Sequence, residues 1–335
     1  MDLRTDGREQ SPFVPVLPSP SPPKNVLAEF RSPTRLARPA FLMSFPFSWA
    51  TGVPNNVWMT EMSEEQRQPN LSKAAAQFLE LYRALSSDAL VYLLPAPAHC
   101  GLQDLPFTAN LAFVPEGVEP RETVILANFT SEPRRGESAI GRPFFESLGY
   151  AVHVPPGRFE GDAEIKHLHD NVYVGGYGER SERAAYEWME RTFEMNIIKV
   201  RETDPHLYHL DCSIFPITRQ ETLVCTELFE NHELAQLEKH TGIIDVSVDD
   251  CFSGICNSVR LGNSIFNASH IHQLKAGTED YQLELHKNHQ LEEIASRLAM
   301  EVSFFNLSEF HKSGALLSCM VMHLNRHSYE FQLTL

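Results

Sequence analysis

Apolar and polar positions follow two different periods from Phe41 to the last residues of the chain. Short apolar runs such as ALVYLLP, TVILANF and NVYVGGY are typical of buried β-strands. Other segments repeat apolar residues every three or four positions, as in Leu71, Ala75, Phe78 and Tyr82, which is the spacing of an amphipathic helix. The pattern therefore predicts a chain that mixes strands and helices throughout.

The predicted elements recur in a fixed order. Further helices are predicted at GRPFFESLG, Ser181 to Phe193, NHELAQLEKHTG and HQLEEIASRLAM. Strands are predicted in FTANLAFV, AVHVPP, EIKHL, NIIKV, HLDCSIFPI, ETLVCTE, CNSVRLG, SIFNAS, VSFFNLS and SCMVMHL. Blocks of about 50 to 60 residues thus repeat a strand-strand-helix-strand unit, which predicts an α/β fold with radial or barrel-like closure.

Residues 1–39 stand apart from this pattern. The stretch PFVPVLPSPSPPK is rich in Pro and Ser, and Pro fixes the backbone and removes hydrogen-bond donors. We predict a disordered tail over 1–39 and a single folded domain over 40–335. The acidic residues of the tail argue against a transit peptide, although a mitochondrial targeting role stays open.

Composition narrows the possible partners. Of the 335 residues 42% are hydrophobic and 21% are charged, as in globular proteins, and the formal net charge is −16. Such an acidic chain is unsuited to nucleic acid or to an anionic membrane surface, and is better suited to a small cation. The six cysteines contain no CxxC pair, which indicates reduced thiols and a cytoplasmic protein.

Two segments carry candidate reactive groups. Cys319 follows a Ser-Gly turn and begins an apolar strand, where a thiol could face a cavity; a buried structural cysteine is the alternative. His209 and Asp211 are two positions apart on a predicted strand, so their side chains are expected on one face. There they would combine proton transfer with cation binding, or would simply form the polar face of a sheet edge.

Other polar residues are candidates for binding. Glu160 and Asp162 flank a glycine and could form a carboxylate pair for a planar cation, or an ordinary turn. Asn110 interrupts an apolar strand and Asn56 precedes a bulky pair, so each amide is either a structural clamp or a substrate contact. Arg180 follows the glycines of GGYGERS and could meet a substrate carboxylate.

Taken in order, the segments NNVWM, FTAN, FEGD, GGYGERS, HLD and SGALLSC resemble the guanidino-group-modifying enzymes. This group comprises arginine deiminases, dimethylarginine dimethylaminohydrolases, amidinotransferases and arginine dihydrolases, and the resemblance spans the chain from Phe41 to its last strand. It implies a five-bladed α/β propeller, the pentein fold, with no metal and no cofactor. The chain is most similar to the arginine dihydrolases, which convert arginine to ornithine, ammonia and carbon dioxide.

The resemblance also implies roles for individual residues. Cys319 matches the nucleophile and His209 the general acid/base, while Glu160 and Asp211 match the carboxylates that hold the guanidinium. Asn110 stands where deiminases and many dimethylarginine hydrolases have Asp.

The sequence departs from the family pattern in places. Asn56 matches the Asn of an NPWM-like element, in which this chain has Val instead of Pro. FEGDAE lacks a glycine that is common after the family's Glu, so either Asp162 or Glu164 could fill the second acidic position.

These implied roles predict a hydrolase for a small cationic guanidino substrate. The thiolate of Cys319 would attack the guanidinium carbon, and His209 would protonate the departing amine and then activate water. An amidinotransferase that hands the amidino group to an amine is the first alternative. A pentein that lost its activity and serves as a binding module is the second, and a homo-oligomer stays open.

Overall fold

A computed structural model describes residues 31–97 and 100–330 of the chain. The strands in this part are β1 Ala40–Met43, β2 Leu90–Leu93, β3 Ala112–Phe113, β4 Thr123–Leu126, β5 Ala151–His153, β6 Ile165–His169, β7 Val172–Tyr177, β8 Asn196–Arg201, β9 Ile214–Pro216, β10 Glu221–Val224, β11 Gly242–Asp245, β12 Val259–Leu261, β13 Ser264–Ala268, β14 Glu301–Phe305 and β15 Met322–His323. The α-helices are α1 Val57–Glu61, α2 Glu64–Arg67, α3 Leu71–Asp88, α4 Glu137–Ser147, α5 Arg183–Phe193, α6 Asn231–Leu237, α7 Val248–Phe252 and α8 Glu279–Arg297.

The described strands form five sheets of three strands each. In every sheet the central strand pairs antiparallel with one neighbour and parallel with the other. The parallel partner always follows a long connection that contains a helix, for example β7, α5 and β8. The predicted α/β fold is confirmed, and each sheet repeats the predicted strand-strand-helix-strand order.

The first sheet joins the two ends of the described chain. Its central strand β1 pairs antiparallel with β15 and parallel with β2, so the last strand completes the unit that the first strand begins. Asn325 reinforces this closure, because its side chain accepts a hydrogen bond from the Ala40 amide and donates to the carbonyls of Pro33 and Arg38.

The helices are positioned by their apolar faces. In α3, Ala74, Phe78, Leu81 and Leu85 are buried against the first sheet, and the Asn70 side chain caps the first turn by accepting a hydrogen bond from the Lys73 amide. In the described residues, five hydrophobic clusters, one or more beside each sheet, form the core. None of the helices in the described part of the chain is long and apolar enough to span a membrane.

The last nine residues of the predicted tail, 31–39, belong to the part of the chain that the structure describes. Residues 31–39 pack on the domain, since the Ser32 amide donates to the Leu148 carbonyl and Pro33 is buried. Pro is accepted here because the segment forms a single 3-10 turn and no strand interior. The rest of the predicted tail, residues 1–30, lies outside the described residues.

Three predicted strands begin later than expected. FTANLAFV, HLDCSIFPI and SCMVMHL each open with a 3-10 turn, and the strand follows only after it. All turn residues except Cys212 are buried, and each turn contains an apolar residue within a largely apolar segment, so the segments resemble strands although the backbone of the turns is coiled.

Candidate active site

The candidate side chains come from short segments that precede the first strand of a unit. Asn110 ends the 3-10 turn before β3, and Cys319 lies in the 3-10 turn before β15. Glu160 stands five positions before β6, and His209 stands five positions before β9. Equivalent segments of four units therefore bring together residues that are far apart in the sequence.

A narrow cleft receives several of these side chains. Cys319 and His209 both line it, so the thiol and the imidazole that the sequence singled out face the same space. Its other lining residues are Asn55, Asn56, Asp104, Phe107, Asn110, Arg134, Arg180, Tyr208, Ser313 and Ala315.

His209 and Glu160 form a buried pair, with His209 Nε2 2.8 Å from Glu160 Oε2. Burial lowers the pKa of His209, and the hydrogen bond and charge of Glu160 offset part of this effect. Burial alone would raise the pKa of Glu160, but His209, Arg180 and Arg134 outweigh it and hold the pKa at about 2. Glu160 is therefore a carboxylate at neutral pH and fixes the orientation of a neutral imidazole.

Glu160 also has an unused acceptor. Its Oε1 atom is buried and has no hydrogen-bond partner in the part of the chain that the structure describes. The Arg180 guanidinium lies 3.7 Å from this oxygen, too far for a hydrogen bond. A buried carboxylate oxygen of this kind is ready to accept an N–H donor from a cationic ligand.

The Cys319 thiol is only 6% exposed, and its sulfur contacts two polar residues. Asn257 Nδ2 donates to the sulfur at 3.5 Å, and Asp211 Oδ2 lies 3.8 Å from it. Burial, followed by the negative charge of Asp211, raises the pKa of Cys319 to about 12, although a backbone contact to Leu316 and the Asn257 amide lower it in part. In this structure the group is a neutral thiol at physiological pH.

Asp211 does not share a strand face with His209, so that prediction is wrong. Asp211 lies in the 3-10 turn Leu210–Cys212, which turns the two side chains to different sides. The Asp211 carboxylate accepts a hydrogen bond from Ser318 Oγ at 2.6 Å and lies behind Cys319, bordering a second narrow cavity.

The two asparagines occupy different places in the cleft. Asn110 Nδ2 lies 3.4 Å from His209 Nε2 and 3.5 Å from Nδ1, so its amide faces the imidazole. Asn56 accepts a hydrogen bond from the Met59 amide and donates to the Ser313 carbonyl, both at 2.9 Å. Asn56 thus caps α1 and ties it to the segment before Cys319.

Arg180 points into the cleft from the segment after β7. Its Nη2 donates to the Asn55 carbonyl at 2.6 Å, and its guanidinium carbon lies 4.7 Å from the centre of the Tyr208 ring. Arg134, which the sequence analysis missed, lines the same cleft and is held by Glu137 through two hydrogen bonds of 2.8 Å.

Asp162 and Glu164 are not among the residues that line this cleft. Asp162 accepts hydrogen bonds from His323 Nδ1 at 2.9 Å and from Arg326 at 2.8 Å, and it borders the second cavity behind Cys319. Glu164 is fully buried beside Glu202, away from that cavity.

Sequence reasoning missed several polar residues around Cys319. Asn257 contacts its sulfur and also accepts a hydrogen bond from the Ser318 amide, and Asp104 carries a buried acceptor into the cleft. A polar residue flanked by apolar neighbours, as in ICNSV, was the available signal for Asn257. Nothing local distinguishes Asp104 from an acidic loop residue.

The arrangement is suited to covalent chemistry on a cation. It combines a thiol next to one buried carboxylate with an imidazole hydrogen-bonded to another, and the thiol and the imidazole line the same cleft. In the described residues no group of three or more His, Cys, Asp or Glu side chains could hold a metal ion.

Comparison with known proteins identifies a family. A model of "N,N dimethylarginine dimethylhydrolase, eukaryotic" matches residues 44–326. The chain is 24% identical over 294 residues to the bifunctional arginine dihydrolase/ornithine cyclodeaminase AgrE of Nostoc sp., which covers 86% of this chain and 38% of AgrE. It is 25% identical over 269 residues to the uncharacterized protein YkgA of Bacillus subtilis, covering 80% of this chain and 85% of YkgA. The chain thus spans well under half of the bifunctional relative.

Solved structures agree on the fold. The N-terminal domain of ArgZ bound to product, an arginine dihydrolase from the ornithine-ammonia cycle in cyanobacteria, superposes with a TM-score of 0.74 at 23% identity, covering 86% of this chain and 98% of that domain. A dimethylarginine dimethylaminohydrolase adduct with S-methyl-L-thiocitrulline gives a TM-score of 0.62 at 18% identity, covering 85% and 99%. The predicted resemblance to guanidino-modifying enzymes, with arginine dihydrolases among the relatives, is confirmed.

Proposed function

We propose that this chain, which belongs to the family of eukaryotic N,N dimethylarginine dimethylhydrolases, is a hydrolase acting on the guanidinium carbon of arginine or a methylated arginine. The observation that carries the proposal is the cleft shared by Cys319 and His209, with Glu160 and Asp211 directly behind them. Displacement at the carbon of a planar cation needs this combination of nucleophile, proton carrier and negative charge.

Two carboxylates are available to bind the guanidinium. Glu160 offers its unpartnered Oε1, and Asp211 Oδ2 lies 3.8 Å from the Cys319 sulfur. Planar N–H donors and carboxylates form strong charge-assisted hydrogen bonds in such a site. The bound positive charge would also lower the pKa of Cys319, because it offsets the carboxylate that disfavours the thiolate.

His209 would carry the protons. The neutral imidazole accepts the proton of the Cys319 thiol as the sulfur bonds to the guanidinium carbon, and gives it to the amine as the C–N bond breaks. The remaining S-amidino intermediate is attacked by water, which His209 deprotonates, and the C–S bond breaks to release the thiol. Glu160 holds the ring in place through both steps.

Further charged residues that line the cleft fit an α-amino acid. Arg180 Nε and Asp104 Oδ1 are buried and have no hydrogen-bond partner among the described residues, and Arg134 lies beside them. Guanidinium groups suit a substrate carboxylate, and Asp104 suits a substrate ammonium. We therefore assign the substrate as arginine or an N-methylated arginine, rather than a simple guanidine.

The finer architecture belongs to the same proposal. We take the five three-stranded sheets to be the blades of a pentein propeller, closed by the pairing of β15 with β1. Placing the substrate among segments from several blades would explain why its contacts are spread over the whole chain.

Product analysis tests the activity. The protein is incubated with arginine, with its mono- and dimethylated forms, and with arginine plus glycine, and the products are identified by mass spectrometry. We expect ornithine or citrulline with ammonia from arginine, citrulline with methylamine or dimethylamine from the methylated forms, and no product from Cys319→Ser. A guanidino product from glycine would indicate an amidinotransferase instead. If no guanidine is turned over and none of them modifies Cys319, the protein would instead be an inactive pentein that serves as a binding module.

A further inference from the structure

Two buried carboxyl groups lie beside the candidate site without a part in the reaction described above. Glu164 is fully buried just before β6, and Glu202 follows β8. Their carboxyl groups are close enough to hydrogen-bond to each other. All four of their oxygens are buried, and none makes a well-formed hydrogen bond to a donor group of the described residues.

The GGYG segment provides the space for this pair. The Gly176 amide donates to the Glu164 carbonyl at 2.9 Å, and a Cβ on Gly176 would lie 2.7 Å from the carboxyl carbon of Glu202. A Cβ on Gly178 would lie 2.7 Å from the Glu202 carbonyl oxygen. Any larger residue at either position would displace Glu202, so the two glycines let its side chain reach Glu164.

Charge makes full ionisation of the pair unfavourable. The titratable groups with the largest effects on the pair are Glu160, Asp211, Arg180 and Tyr186, of which Arg180 is the cation, and Arg134 is a second cation that acts on Glu160. Ionisation of both members of the pair would add two negative charges to those of Glu160 and Asp211 in a buried region.

The direction of the pKa shifts agrees with this charge count. Burial, then the charges of Glu202 and Glu160, raise the pKa of Glu164 well above its usual range, and the Ser181 hydroxyl offsets little of this. Burial likewise raises the pKa of Glu202 well above its usual range.

We propose that Glu164 and Glu202 share one proton and form a positioning pair that holds the segment bearing Glu160 and limits the negative charge around Glu160 and Asp211. This inference rests on the proposed function, because it assigns the pair to the same cation site. The short turn Gly161–Ala163 links Glu164 to Glu160, so an anchored Glu164 restrains the carboxylate that orients His209.

The shared proton has a consequence for catalysis. At a pH high enough to remove it, the site gains one negative charge near Glu160 and Asp211. A cationic substrate then binds more tightly, so KM falls. The Cys319 thiolate becomes less favourable at the same time, so kcat falls as well.

Infrared difference spectroscopy tests the pair without relying on turnover. The spectra of Glu202→Gln and of Glu164→Gln are each subtracted from the spectrum of the full chain. Burial raises the pKa of Glu137 to about 7, so the spectra are recorded about one pH unit above that value, where Glu137 is largely ionised. We expect the carbonyl stretch of a protonated carboxylic acid in the full chain and its loss in both variants. Glu187→Gln, which changes a partly exposed glutamate of α5, should keep the band.

Each outcome of this experiment decides the proposal. Absence of the band from the full chain, or its retention in both Gln variants, would overturn the shared proton even if the protein hydrolyses guanidines. Presence of the band in a chain that turns over no guanidine would leave the pair intact and refute the proposed function instead.

Kinetics then test the positioning role. A Gln at position 202 can donate to Glu164, so the variant keeps one hydrogen bond and one negative charge but has no proton to lose. We expect the alkaline fall of both kcat and KM in the full chain to disappear in Glu202→Gln. Glu202→Ala, which lacks the hydrogen bond, should lose at least about tenfold in kcat/KM, equal to about 1.4 kcal/mol. An unchanged alkaline limb in Glu202→Gln would contradict the role.

Discussion

The electrostatic setting of single side chains decides when the thiol of this site becomes reactive. Burial and the nearby Asp211 raise the pKa of Cys319 to about 12, so it is protonated without a cation in the cleft. A nucleophile that stays neutral until the substrate arrives is protected from other electrophiles and from oxidation. In the proposed function, specificity for cations would follow from the activation step as well as from binding.

This setting predicts selective alkylation of Cys319. A positively charged haloacetamidine should modify it at neutral pH at least about ten times faster than the uncharged haloacetamide, since one unit of pKa corresponds to a tenfold change in thiolate. The rate with the uncharged reagent should increase as the pH rises toward 12. Mass spectrometry of the Cys319 peptide measures both rates, and the half-buried Cys100 gives the reference ratio of the two reagents. Equal ratios at the two cysteines would contradict activation by the cation.

Asn110 is the residue where a single charge could change the product. Its amide lies 3.4 Å from His209, so a carboxylate there would stabilise the imidazolium and strengthen the hold on the guanidinium. We expect Asn110→Asp to shift products from ornithine toward citrulline, measured as the ratio of the two. Asn196→Asp, at an exposed position of β8, should leave the ratio unchanged. The same ratio in both variants would remove Asn110 from the control of the outcome.

At the scale of elements, the close packing of two turns sets the site. Gly161 follows Glu160 at a φ of +73°, and a Cβ there would lie 2.5 Å from the Ala109 carbonyl oxygen and 2.7 Å from the Asn110 carbonyl carbon. Only glycine allows the segment that carries Glu160 to lie against the turn that carries Asn110.

Gly161→Ala should therefore damage both stability and activity. We expect a loss of about 3 kcal/mol in the free energy of unfolding, the sum of left-handed strain and the clash, and at least about a hundredfold loss of kcat/KM. Gly277→Ala is the matched control, because Gly277 has a φ of +87° and no atom within 4 Å of the added Cβ. It should cost about 1 to 2 kcal/mol from the left-handed backbone alone and keep full activity. Denaturant unfolding measures the stability of both variants, and steady-state kinetics measures their activity. Equal losses in Gly161→Ala and Gly277→Ala would show that the close approach of Gly161 to the Asn110 turn is unimportant.

The same turns mark the limit of what the sequence could predict. Apolar periodicity identified the long helix of each unit and most of the strands, since those elements bury one face and repeat it regularly, but it missed β1 and β11. The turns that hold Asn110, Asp211 and Cys319 also contain buried apolar residues but are coiled, so periodicity assigned them to strands. The resemblance to a family identified Cys319, His209 and Glu160, because the motifs that contain them occur in the family's order along the chain. Asn257 and Asp104 escaped, because only the packing of separate units brings them to the cleft.

At the scale of the whole molecule, the last unit connects stability to the site. The strand β15 pairs with β1, and the turn just before β15 carries Cys319. Thr108 donates hydrogen bonds to the Leu42 carbonyl at 2.9 Å and to the Met320 carbonyl at 3.0 Å, which joins the turn before β3 to strand β1 and to the turn before β15. Loss of the first sheet would therefore displace Cys319, the proposed nucleophile, first.

Asn325 provides the means to test this connection between closure and activity. Its side chain accepts from the Ala40 amide at 3.2 Å and donates to the carbonyls of Pro33 and Arg38, both at 2.9 Å. Asn325→Ala leaves these buried backbone groups without partners, so we expect about 3 kcal/mol of lost unfolding free energy in denaturant titrations. Local opening of the first sheet should also appear as faster amide hydrogen exchange in β1 and β15 than in the distant strands β10 and β11. Uniformly faster exchange in all five sheets would mean that the molecule opens as one unit. The first sheet would then not unfold separately from the others.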